Sequence, residues 1–267
     1  MHLIFSRSLT IMLQRRLFSL AAVTALTALS LTSVGSQAWS WGGSERIKGT
    51  GDVSSEVRDL GNFDSVSLAG GFKLLVRQGA QSRVEVKTDR NLQSYIETRI
   101  VEGKKGGRTL EIGPKRGFDV QGTVNPEIVL DMAQLRSISV AGSGDVRVEA
   151  MKTGEVEASV AGSGDVLFVD LSSERLGVKV AGSGTVTANG RSGSLSLSIA
   201  GSGDVRARGL LAEEVKVSIA GSGDAEVNAS KTLKVSIAGS GDVGYVGSPE
   251  LSTSMAGSGR VRRLNGN

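Results

Sequence analysis

The sequence predicts an all-β chain built as a right-handed parallel β-helix, a β-solenoid with rungs of about 18–20 residues. Three observations carry that reading. The tetrapeptide Ala-Gly-Ser-Gly begins at Ala141, Ala161, Ala181, Ala200, Ala220, Ala238 and Ala256, at spacings of 20, 20, 19, 20, 18 and 18. The residues on either side of it alternate between apolar and polar with the period of a half-buried strand. Proline, which cannot donate to a strand ladder, occurs three times in 267 residues.

The elements follow in chain order. Residues 1–38 read as a secretory signal. Arg7, Arg15 and Arg16 precede an apolar run from Leu17 to Val34, and Ser36-Gln37-Ala38 offers small residues before a cut at Trp39. A membrane anchor would need about 20 apolar residues, and this run is shorter and diluted by Ser and Thr. General and twin-arginine export both fit the Arg15-Arg16 pair. Cleavage leaves 28 basic against 27 acidic side chains, a net charge of +1. The basic character thus belongs to the signal and gives no reason to expect nucleic acid or an anionic membrane as partner.

Residues 39–58, with Trp39, Trp41 and several glycines, read as a loose N-terminal tail, and residues 59–267 as one solenoid domain. Within it, residues 59–135 are strand-like but irregular, and are expected to form longer-looped rungs. Ser65 to Phe72 reads as a degenerate first copy of the repeat. Residues 136–263 hold the regular repeats. One residue before each Ala stand Val140, Val160, Val180, Ile199, Ile219, Ile237 and Met255, an inward column. The Ser and Lys residues just before these point outward. After the corner, Val146, Val166, Val186, Val205, Ala225, Val243 and Val261 resume the inward face. One such unit cannot cover its own apolar side, whereas units stacked about 4.8 Å apart bury it continuously. The glycines suit a corner needing positive φ or close backbone approach, so length variation should fall in the second, looser bend. Hairpins in an antiparallel meander are the rival arrangement. Arg260 to Arg263, like the degenerate first copy, reads as an end cap.

From Phe63-Asp64-Ser65-Val66-Ser67-Leu68, through Phe72-Lys73-Leu74-Leu75-Val76-Arg77-Gln78-Gly79, to Leu135-Arg136-Ser137-Ile138-Ser139-Val140-Ala141-Gly142-Ser143-Gly144-Asp145-Val146 and its copies, the chain resembles the putative auto-transporter adhesin, head GIN domain family. The resemblance implies a β-helix exported to the periplasm or cell surface and an adhesin-like role. Only Arg260 to Asn267 follow the last corner, so no translocating barrel of at least eight strands is expected after it.

Composition excludes most chemistry. There is no Cys, and the single His is His2, inside the signal. A mature chain without either has no Ser-His-Asp triad, Cys-His dyad or ordinary zinc site. The Gly-Ser-Gly copies run into β-branched residues instead of a helix, so they are no phosphate loop. One column remains suggestive. The residue after each corner is Asp145, Asp165, Thr185, Asp204, Asp224, Asp242 or Arg260. Asp145, Asp165, Asp204, Asp224 and Asp242 are the candidate calcium ligands. The other reading is that each carboxylate accepts backbone N–H bonds in its own corner, with Arg260 closing the row against Asp242. A polysaccharide lyase or hydrolase would need two carboxylates facing one cleft, and a regular row suits architecture better. The exposed-aromatic supply for sugar binding is also thin, because Phe168 and Tyr245 fall on the inward register. The expected function is therefore an exported, non-catalytic envelope module without a cofactor. It would bind a cell-surface glycan or an envelope protein along a flat polar face that carries Ser143, Ser163, Ser183, Ser202, Ser222, Ser240 and Ser258.

Overall fold

The computed structural model describes residues 44–102 and 107–265. The signal assigned to 1–38 and the tryptophans of the proposed tail lie outside the described residues. The regular repeats form β10 (Ser137–Gly142), β11 (Asp145–Val148), β12 (Met151–Gly162), β13 (Asp165–Gly182), β14 (Thr185–Gly201), β15 (Asp204–Gly221), β16 (Ala225–Gly239), β17 (Val243–Val246), β18 (Glu250–Gly257) and β19 (Val261–Arg263). Every pairing among them is parallel, and the corners stack in register: Ala141 on Ala161, then Ala181, Ala200, Ala220, Ala238 and Ala256. Parallel pairing disposes of the hairpin meander. The long strands β13 to β16 run around the second bend, so each contributes to two faces of the solenoid.

Both glycines of the corner are required, for different reasons. Gly182 has φ +127°, a region that side chains rarely adopt. Gly223 lies against the Gly203 carbonyl of the preceding rung, where a Cβ would collide with backbone. Between them the serine N–H bonds to the rung before, as in Ser202 N–H to Gly182 O and Ser222 N–H to Gly201 O, both 2.9 Å. The apolar columns then close over one continuous core. Val160, Val180, Ile199, Ile219 and Ile237 are 1–2% exposed, and Phe168 is fully buried. Each such side chain contributes about 1.5–3 kcal/mol by leaving water.

Length variation does fall in the second bend. Register shifts occur between Phe168 and Leu171, between Thr187 and Gly190, and between Ala207 and Glu214, never at the glycine corner. The repeats were expected to be free of proline, but Pro249 lies within them, in the bend between β17 and β18, where no strand ladder needs its missing N–H.

The irregular N-terminal part differs from the expected run of successive rungs. It contains β1 (Glu45–Lys48), β2 (Val53–Arg58), β3 (Ser65–Ala69), β4 (Lys73–Gln78), β5 (Arg83–Asp89), a 3-10 turn (Arg90–Tyr95), β6 (Ile96–Glu102), β7 (Arg108–Pro114), β8 (Phe118–Gln121) and β9 (Glu127–Met132). The degenerate copy is a true rung: β3 and β4 pair in parallel with β10 and β11, with Ala69 opposite Ala141. It is not the cap. Later residues, β7 and β9, stack in parallel on its other side, so the order in space departs from the order in sequence. Beyond them β6 pairs antiparallel with β7, β5 antiparallel with β9, and β2 antiparallel with β5. Reversal of direction is what ends the stack, since an antiparallel strand carries no corner for another rung to copy. Residues expected as a loose tail are therefore strands from Glu45 onward, β2 in the cap and β1 paired with β8.

Candidate binding faces

The corner aspartates form the row expected of them, with a different bonding pattern. Four of the five carboxylates, those of Asp165, Asp204, Asp224 and Asp242, reach the following rung and not their own corner. Asp165 Oδ1 accepts the Thr185 N–H at 2.9 Å, Asp204 the Asp224 N–H at 3.3 Å, Asp224 the Asp242 N–H at 2.7 Å, and Asp242 the Arg260 N–H at 2.9 Å. Arg260 also lies 3.7 Å from Asp242. The row thus clips one rung to the next. Like charges about 4.8 Å apart repel by roughly 1 kcal/mol in water, and the N–H bonds together with Arg260 offset this. Among the described residues no three carboxylate, His or Cys side chains converge as a metal site would require. The seven corner serines stand exposed beside this row.

Next to the aspartates, the outer face that β4, β11, β13, β14 and β15 form just after the corner hollows into a groove of about 570 Å³. Its floor is the outward column two residues after the corner row: Leu75, Arg147, Leu167, Thr187 and Arg206. Leu75 and Leu167 are half-buried and alternate with the exposed Arg147. Lys73, Glu127, Asp145, Glu149 and Asp165 line the sides. Two of these acids already have partners, Glu149 with Arg147 at 2.7 Å and Asp165 with the Thr185 N–H. The floor was not singled out from sequence, although the signal exists: leucine at an outward strand position in two rungs.

A second feature missed from sequence is Asp89, fully buried at the capped end. Its carboxylate accepts the Thr123 hydroxyl at 2.7 Å and the N–H groups of Thr123 at 2.8 Å and Gly51 at 2.6 Å. Gly49 and Gly122 lie so close that a Cβ on either would press on the carboxylate. The Thr123 hydroxyl, with the two N–H groups, holds its carboxyl below the usual carboxylate range against the opposing effect of burial. Asp89 is a structural clasp joining three segments of the cap.

Fold and faces together define a β-solenoid with exposed polar ladders and a shallow, partly apolar groove. Residues 62–249 match the family described as "Putative auto-transporter adhesin, head GIN domain", and the chain belongs to that family. A crystal structure of a putative lipid binding protein from Parabacteroides distasonis is 28% identical, with a TM-score of 0.70, covering 83% of this chain and 100% of that one. Putative adhesins from Bacteroides fragilis and Parabacteroides merdae have the same fold, at 23% and 22% identity and TM-scores of 0.73 and 0.66. The alignments cover 82% and 83% of this chain and all of theirs. No curated protein sequence matches the chain. Among the described residues no helix is long and apolar enough to cross a membrane.

Proposed function

We propose that the chain is an exported, non-catalytic binding module of the cell envelope that holds a glycan chain in the groove beside its corner aspartates. The observation that carries this is the floor, where Leu75 and Leu167 alternate with Arg147 along the stacking direction. A sugar ring offers an apolar C–H face and a rim of hydroxyls. Such a floor meets the first with leucine and the second with guanidinium and carboxylate groups. Rungs repeating about every 4.8 Å suit a polymer lying across them. The signal-like residues 1–38 support export, and membership of an adhesin-like family supports a surface ligand.

The test is enrichment from envelope extracts followed by titration with the recovered fraction. Wild type should retain glycan, and a Leu75→Asp, Leu167→Asp double variant should lose it at unchanged melting temperature, because neither leucine is a core residue. Capture of a defined protein instead would make the module a scaffold, and turnover of the glycan would make it an enzyme. A lipid is the second reading, favoured by the same leucines and by the description of the Parabacteroides distasonis relative. Co-flotation with vesicles, abolished by the same double variant, would select it.

A further inference from the structure

The two ends of the solenoid are unlike. One is closed by the antiparallel strands β2, β5 and β6. At the other, β18 and β19 pair inward with β16 and β17, and among the described residues nothing pairs with their outer edges. Every residue of β18 is exposed. Leu251 and Met255 occupy columns whose previous members, Leu233 and Ile237, are 0% and 2% exposed, yet they are themselves 42% and 52% exposed. Strand edges are ordinarily blunted by lysine, proline or a bulge. β18 has none of these between Leu251 and Gly257.

The edge is also complementary to itself. Leu251-Ser252-Thr253-Ser254-Met255 reads alike in both directions about Thr253: apolar, Ser, Thr, Ser, apolar. A twofold axis through Thr253, directed into the solenoid, pairs β18 antiparallel with its copy and keeps inward residues inward. Leu251 then meets Met255 and Ser252 meets Ser254. The same operation brings Glu250 of each copy to the corner that carries Arg260 of the other, opposite charges at both ends of the contact.

We propose that this end docks a second copy of the chain, edge to edge about Thr253, to make a closed twofold dimer with one continuous core. Closure limits the assembly to two, because among the described residues each copy has one open end. The chain lacks cysteine, so a single introduced thiol reports the geometry. Directly opposed residues have Cβ atoms about 4.5–5.5 Å apart, near disulfide reach. Sedimentation of the full chain should give twice the monomer mass. Thr253→Lys should halve it without changing the melting profile of the body, and mixing Thr253→Lys with Thr253→Glu should restore the dimer. Thr253→Cys should cross-link on mild oxidation, while Ser222→Cys on a central corner should not. A monomeric mass with the two thiols cross-linking equally slowly, a dimer indifferent to Thr253→Lys, or growth into fibres would each overturn the proposal.

Discussion

At the corner, the two glycines make separable demands. Gly182→Ala must hold a side chain at φ +127°, and Gly223→Ala must fit one against the Gly203 carbonyl. Each should lose about 1–3 kcal/mol in denaturant titration. Gly154→Ala, with open space around its Cα and no positive φ, should leave stability unchanged or raise it by up to about 1 kcal/mol. Asp89 makes a prediction in pH. Its folded carboxyl is held below its ordinary value, so its contribution is complete above the unfolded pKa of about 3.9. The contribution is then lost as pH falls through the folded value. Wild type should lose more stability than Asp89→Asn across that acid range, measured by melting at a series of pH values. The corner residues were legible in the sequence because seven copies repeat them. Asp89 was not, since its partners Gly51 and Thr123 lie 38 and 34 residues away in an unrepeated segment and share no motif with it.

Between elements, the Asp row and the second bend do different work. One clip is a single hydrogen bond between exposed groups. Asp224→Ala should therefore cost about 0.5–1.5 kcal/mol, read as a small fall in melting temperature. Calcium at millimolar concentration should leave that temperature unmoved, and a rise would return the row to the role of ion site. The inter-rung ion pairs, such as Arg175 with Glu155 and Lys179 with Glu157, are exposed and add little. Periodicity made the strands of residues 136–263 readable, because every rung solves the same packing problem with the same residues. Within residues 45–135 it reached only the degenerate copy at Ser65 to Phe72. Elsewhere in that segment strands reverse, and nothing in Val53–Arg58 or Arg83–Asp89 states the direction of a neighbour. Half-buried alternation looks identical in parallel and antiparallel strands.

Across the whole molecule, nearest-neighbour stacking makes stability a matter of position. In the Thr253→Lys variant, whose last rung is left uncovered, hydrogen exchange should be slowest in β13 to β15, which have complete rungs on both sides, and fast in β18 and β19, which have one. Equal protection along the solenoid would contradict the picture of independent rungs. Placing β3 and β4 between β7/β9 and β10/β11 has a consequence in time. A chain that emerges with its N-terminus first cannot finish its earliest rung when it is made, because both neighbours arrive later. Assembly waits until about Val148 has appeared. From then on each new repeat finds a finished template, so the solenoid begins with one slow collective step and grows afterwards by addition at one end.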